Sequence, residues 1–205
     1  MTAKRAGKPE AIPVTVTFLE MAKPPSHYPP LPWNRQVALL RVGHMPLHFY
    51  RYLMDRVGRP WHWVNMLRLD DEKLAVRLSE PGREFRVLYL DGVPSGFFEI
   101  AALSDHAELS YFGLMDHATG QGLGRWFLGA AIEAAWATGA SKVKVQTCTL
   151  DHPAALPMSM PRERPISRSE GTPACALAPS MAVAAAPARK VLRSITPRSP
   201  ARSKD

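Results

Sequence analysis

The sequence has few cysteines: two among 205 residues, Cys148 and Cys175. Neither a metal spacing nor a disulfide framework can be made from them. A reducing, cytoplasmic setting is the expectation that follows. Long apolar runs are lacking as well. A helical membrane span needs about 18 or more consecutive apolar residues, and no such run occurs. Lys4, Arg5 and Lys8 make the start of the chain basic, but no apolar segment follows to complete a signal peptide. His44, His48, His62 and His117 have no metal-ligand spacing and no nucleophile motif beside them, so no metal site is expected.

Aromatic residues are absent from one whole region. From Ser159 onward there is no Phe, Trp or Tyr, while seven prolines and nine alanines occur without a helical apolar stripe. Such a segment buries too little surface to offset chain entropy, and residues 159–205 are predicted to be a disordered tail. The net charge of +8 is concentrated there: nine Lys and Arg stand against three acids, compared with seventeen against fifteen in the rest. The basic character therefore does not describe the folded part. Residues 1–13 read as a loose arm, which leaves 14–158 as the domain.

Within that domain, Val14–Leu19 is β-branched and aromatic and reads as a strand. Residues 24–32 are proline-rich and predict an extended connection. Residues 46–57 read as a helix with Pro46 at its start and Gly58 just past its end. Asp70 reads as the N-cap of a second helix, running to about Leu78. Phe85–Leu90 and Pro94–Ile100, joined through Asp91-Gly92, predict a hairpin. Glu108–Leu114 predicts another strand, and Lys142–Thr147 a last one. Between those two, Leu123, Trp126, Phe127, Ala130, Ala131, Ala134 and Ala135 recur at the helical period, with Gly139 as a stop. The order predicts a mixed α/β (α+β) sheet rather than regular βα repeats.

Gly120, Gly122 and Gly124 alternate between the Glu108–Leu114 strand and the next helix. Glycines there let backbone N–H groups approach an anion at a helix N-terminus, where the dipole favours negative charge. A P-loop would need Lys-Ser/Thr after the last glycine, and Arg125-Trp126 stands there instead. A dinucleotide fingerprint needs its third glycine three residues after the second; counted from Gly122 or Gly124, that place falls on Arg125 or Phe127.

These residues resemble the GNAT superfamily of acyl-CoA-dependent N-acyltransferases. Its signature, Arg/Gln-x-x-Gly-x-Gly/Ala, reads here Thr119-Gly120-Gln121-Gly122-Leu123-Gly124. Residues 108–117 are similar to the family's fourth strand, and 147–157 to its fifth strand and following helix. Phe49–Leu53 and Pro60–Trp63 resemble a bacterial subgroup. The likeness covers about 14–158. It implies a central, mostly antiparallel sheet splayed between the fourth and fifth strands, with acetyl-CoA as co-substrate. Phe112, Gly113 and Leu114 would meet its pantetheine arm. Gln121, Gly122, Gly124 and Arg125 would hold its pyrophosphate, with Thr119, Gly120, Leu123 and His152 as further cofactor contacts. Glu108 is the first candidate for the base that deprotonates the attacking amine, and Glu99 the second. Tyr50, Tyr52, Trp61 and Trp63 are candidates for walling the acceptor cleft.

The family's helix after the fifth strand carries a Tyr that serves the departing thiolate. Ser159 falls in that place, and the two closing strands have no counterpart in the tail. The resemblance thus implies an N-acetyltransferase acting on a small-molecule or peptide primary amine. Beside it stand an impaired acetyl-CoA-binding domain and, third, a nucleic-acid-binding protein using the basic tail. The tail lacks the aromatics of single-strand readers. An uncovered sheet edge after the fifth strand is expected, and it leaves homodimer formation open. Cys148 is expected to be a small core residue.

Overall fold

A computed structural model describes residues 10–11, 14–32, 35–155, 157, 167–171 and 194–195; for 10–11, 167–171 and 194–195 it gives the backbone pairing alone. Nine strands are described: β1 (Glu10–Ala11), β2 (Val16–Met21), β3 (Val37–Val42), β4 (Arg83–Leu90), β5 (Val93–Ala102), β6 (Ala107–Leu114), β7 (Val143–Cys148), β8 (Ser167–Gly171) and β9 (Ser194–Ile195). The helices are α1 (Leu47–Leu53), α2 (Asp71–Leu78) and α3 (Leu123–Trp136). Seven strands form one sheet in the order β3-β4-β5-β6-β7-β2-β8, and β1 pairs with β9. All neighbours are antiparallel except β6 and β7. That parallel pair needs a crossover, which α3 supplies.

Alternation along β4, β5 and β6 sends side chains to two opposite faces. On one face Leu88, Phe98, Ile100 and Leu109 pack against Leu123, Phe127, Ala131 and Ala135 of α3. On the other, Phe85, Val87 and Phe97 pack against Tyr50, Leu53, Met54 and Leu74 of the first two helices. Fully burying one such aromatic or leucine contributes about 1.5–3 kcal/mol. The predicted α3 stripe is largely buried, with Trp126 and Ala130 at its half-exposed margins. Gly139, at φ 84°, ends the helix region as expected. Asp70 caps α2, accepting from Lys73 N at 2.8 Å. The β4–β5 turn has Asp91 at φ 49° and Gly92 at φ 83°, a pair of positive values that suits the twist of a tight hairpin.

Four expectations are corrected. The sequence reading passed over β3, an edge strand whose residues are half-buried or exposed and whose apolar run Val37-Ala38-Leu39-Leu40 is short. The first helix is shorter than predicted: after Leu53 it widens into a π turn at Met54–Gly58 and tightens into a 3₁₀ turn at Arg59–Trp61. Gly58, at φ −95°, is not a left-handed stop. It is required because a Cβ there would lie 2.6 Å from the Cβ of Trp63. The reversal falls instead on His62, at φ 61°.

The other two corrections concern the region beyond β7. The edge expected there is covered: β2 pairs with β7 from Val16↔Cys148 to Met21↔Val143, and β8, from the segment predicted to be disordered, pairs with β2. The backbone ladder satisfies groups that apolar patterning does not reveal, so Ser- and Arg-containing β8 escaped a reading based on hydrophobicity. That edge therefore gives no ground for dimer formation. Cys148, 9% exposed, is disulfide-bonded rather than an unpaired core thiol, which contradicts the expectation of no disulfide and removes the ground for a reducing setting.

Candidate active site

The parallel pairing of β6 with β7 is short. It joins Ala107↔Val143, Glu108↔Lys144 and Leu109↔Val145, and no further. Beyond it β6 runs on to Leu114 paired with β5, and β7 runs on to Cys148 paired with β2. The two strands therefore diverge from Ser110, leaving the β7-facing backbone of 110–114 outside any strand pairing. Such an edge can accept an extended ligand by main-chain hydrogen bonds. Phe112 and Leu114 pack toward α3, Phe112 with its ring 4.9 Å from that of Phe127. Gly113 lies on the opposite face, where a Cβ would collide with Val57 Cγ1 and sit 3.6 Å from Trp63 Cη2.

The glycine turn lies between β6 and α3. Gly120 and Gly122 have φ 76° and 79°, with open space where a Cβ would project, so the requirement for glycine is conformational. Gly122 is the N-cap of α3, no side chain caps this terminus, and its first turn holds no acid. The first N–H groups of α3 therefore keep their capacity to bind an anion. Leu123 is buried in the core and fixes the helix start, while Arg125 is exposed and makes no ion pair among the described residues. Thr119 Oγ1 donates to the Met115 carbonyl at 3.2 Å. Gln121 donates to the His117 carbonyl and accepts from Arg35, which also lies 3.7 Å from Asp91. Arg35 was not singled out from sequence, because it reaches the turn from the connection before β3 and no local motif marks it. The donor set and the unpaired strand edge together fit an extended ligand with a phosphate group, as acyl-CoA is.

The two candidate carboxylates differ sharply. Glu99 is fully buried; it accepts from Tyr50 Oη at 2.8 Å and from Arg83, and Arg77 Nη2 lies 3.6 Å away. Burial pushes its carboxyl up, opposed by Arg83 and Tyr50. The network ties α1, α2, β4 and β5 together and encloses Glu99 completely. Glu108 lies at the divergence itself and is half-buried, and its side chain makes no hydrogen bond or ion pair among the described residues. Burial raises its carboxyl above the usual range, and His106, Arg83 and Lys144 pull it back in part. A nearby half-buried tyrosine, Tyr111, has its hydroxyl held well above its ordinary value by desolvation and by Glu99.

The mouth of the divergence is spanned by the segment after α1. Trp63 stacks at an angle on Tyr111, with ring centroids 5.3 Å apart, and Trp61 meets His152 edge-on at 5.0 Å. Between them, left-handed His62 points the two indoles to different partners. Tyr52 is exposed and Tyr50 is buried, so Tyr50 belongs to the Glu99 network rather than to a cleft wall. His152 accepts from Ala154 N through Nδ1 at 3.0 Å, which is the local turn-forming role of a residue at a helix start. Ser159 lies outside the described residues. Two residues missed from sequence matter here. Asp151 binds Trp63, Thr147 and the Cys148 amide, and Ser110 occupies a bulge in β6. An Asp after a strand carries no signal by itself, and a bulge is invisible to periodicity.

Comparison with known proteins agrees with this architecture. The fold resembles a functionally unknown conserved protein from Staphylococcus epidermidis, with a TM-score of 0.52 and 15% identity over 78% of this chain. The chain spans 59% of the length of that protein. Two further structures align less closely, each with a TM-score of 0.48. One is an aminoglycoside acetyltransferase from an uncultured soil metagenomic sample, 18% identical over 63% of this chain and 90% of its own. The other is a putative GNAT acetyltransferase from Novosphingobium aromaticivorans, 14% identical over 77% of this chain and 61% of its own. No curated protein matches the sequence. Among the described residues no helix is long and apolar enough to cross a membrane, and no cluster of side chains could hold a metal ion. The family model for the acetyltransferase (GNAT) family matches residues 48–158, more than half of the sequence, from within α1 to beyond the end of β7, and the chain belongs to that family.

Proposed function

We propose that this protein transfers the acetyl group of acetyl-CoA directly to a primary amine, with Glu108 as the base. The observation that carries this reading is Glu108 itself, a half-buried carboxylate without a partner among the described residues, placed where β6 and β7 part. A carboxylate raised toward neutrality by burial is suited to take a proton from an ammonium group, directly or through one water. The amide groups at the start of α3, with Gly120, Gln121 and Arg125, hold the pyrophosphate. The free edge at Phe112, Gly113 and Leu114 receives the pantetheine arm, with Thr119, Leu123 and His152 near its path. Bound acetyl-CoA supplies an activated acyl group. Orientation, exclusion of water and proton removal fall to the protein, and direct transfer leaves no covalent enzyme intermediate. The acceptor belongs to the small-molecule or peptide amines.

Thermal shift with acetyl-CoA, followed by thiol release over a panel of amines, tests it. At one hundred times Kd, binding stabilises by about 2.7 kcal/mol, equivalent to about 5–11 °C in a chain of this size. Stabilisation with turnover supports the reading. Stabilisation without turnover favours the impaired binding domain, and salt-sensitive nucleic-acid binding without a response to acetyl-CoA favours the third reading.

A further inference from the structure

Among the described residues, three buried side-chain atoms have no hydrogen-bond partner: Arg77 Nη2, Trp136 Nε1 and Ser110 Oγ. Arg77 Nη2 has the Glu99 carboxylate 3.6 Å away, and Trp136 closes the end of α3 far along the chain from the glycine turn. Ser110 is different in where it lies. It is the extra residue of the bulge between the pairs Glu99↔Tyr111 and Ile100↔Leu109. It is also the first residue of β6 beyond Leu109↔Val145, the last pair with β7. At this single position β6 loses its regular register with one neighbour and its pairing with the other. Bulges redirect side chains and gather near active sites. A buried hydroxyl without a partner lowers the stability of the fold, and such a group in a native protein calls for an explanation.

We infer that Ser110 is a catalytic residue whose hydroxyl donates a hydrogen bond to the thioester sulfur as it departs. The inference rests on the acetyl-transfer reading above and supplies the donor that the sequence otherwise lacks where the family's Tyr would stand. In the step, the amine nitrogen forms the C–N bond and the C–S bond breaks with its electron pair on sulfur. Glu108 passes the ammonium proton on to water before attack and, ionised again, takes the surplus amine proton. The thiolate leaves hydrogen-bonded to Ser110 and takes its own proton from water. Ser110 keeps its proton throughout, so a weakly acidic hydroxyl suffices.

The test compares wild type with Ser110→Ala by thermal melting, and by binding of CoA and of desulfo-CoA at a pH where the CoA thiol ionises. Removing a hydroxyl that has no partner is expected to raise the Tm by about 2–4 °C. CoA thiolate affinity should fall about tenfold, as expected for a lost hydrogen bond to a charged group, while desulfo-CoA affinity stays unchanged. With an active amine, kcat should fall about 10²-fold at unchanged KM for acetyl-CoA. A lower Tm would mean that the hydroxyl is a structural partner, and would overturn the inference. Equal loss of CoA and desulfo-CoA binding, or loss of neither, also overturns it and leaves the acetyl-transfer reading intact. Failure of wild type to bind either ligand overturns both.

Discussion

Trp63 Nε1 donates a 3.0 Å hydrogen bond to Asp151 Oδ1. The same carboxylate accepts at Oδ2 from Thr147 Oγ1 at 2.9 Å and from Cys148 N at 2.8 Å. One side chain thus fastens the segment after α1 to the end of β7, across the divergence of β6 and β7. Asp151→Ala removes three bonds to a charged acceptor and Trp63→Phe removes one. Hydrogen bonds to charged groups are each worth about 1.5–3 kcal/mol. Urea unfolding should show the Asp151 variant as the less stable of the two, by at least about 1 kcal/mol. Equal stabilities would mean that the other two bonds contribute nothing.

Glu108→Gln should lower kcat/KM by about 10²–10⁴. In the wild type the acidic limb of the pH–rate profile should lie above the usual carboxylate range, because burial raises Glu108. The variant should lack that limb. A profile unchanged in shape would remove Glu108 from the role of base.

The same substitution makes a stability prediction of definite sign. A carboxyl whose folded value is raised binds its proton more tightly when folded. Its contribution is therefore favourable below the unfolded value and is lost as pH rises through the folded one. Glu108→Gln should accordingly raise Tm at neutral pH and leave it unchanged near pH 4. A fall in Tm at neutral pH would show that ionised Glu108 has a stabilising partner.

Tyr50→Phe deletes the 2.8 Å bond to buried Glu99, and Arg83→Ala deletes its charge partner. The first should cost about 1–3 kcal/mol. The second should cost about 3–5 kcal/mol, since it removes the hydrogen-bonded cation and leaves buried Glu99 with Arg77 alone, 3.6 Å away. Denaturant unfolding checks both. If Arg83→Ala proves harmless, Glu99 is neutral in the folded state.

Gly122→Ala places a Cβ in left-handed backbone with open space around it. The conformational cost is about 1–2 kcal/mol. Isothermal titration should show weaker acetyl-CoA binding, whereas Gly43→Ala, where a Cβ meets nothing within 4 Å and φ is ordinary, should bind as wild type does.

Much of this site could be read from the sequence, for identifiable reasons. The α3 stripe and the Asp91-Gly92 hairpin are local patterns, and local patterns survive folding. The glycine turn could be placed because Gly120 and Gly122 stand between a strand and a helix, with Gly124 in the first turn of α3. The Glu99–Arg83–Tyr50 network could not be seen, since it joins residues from three separate elements, and so Glu99 looked as approachable as Glu108. Arg35 on Gln121, and Asp151 on Trp63, are likewise side-chain meetings across long sequence separations. Strand β3 was missed because an edge strand need not bury one clean face. Strand β8 was missed because its sequence, Ser-Arg-Ser-Glu-Gly, carries no apolar pattern.

The position of β2 beside β7 has a consequence for how the chain emerges during synthesis. Thr15 N binds Thr149 Oγ1, two residues 134 apart in sequence, at the head of that pairing. At about 5–20 residues per second, β2 would wait on the order of 10 s for its partner to be made. Throughout that interval a strand containing Val16, Leu19 and Met21, all buried in the finished sheet, is without its cover. The β4–β5–β6 meander can assemble as it is translated, whereas β2 docks late. Slow translation upstream of β7 therefore lengthens the period in which this strand can pair with another nascent chain.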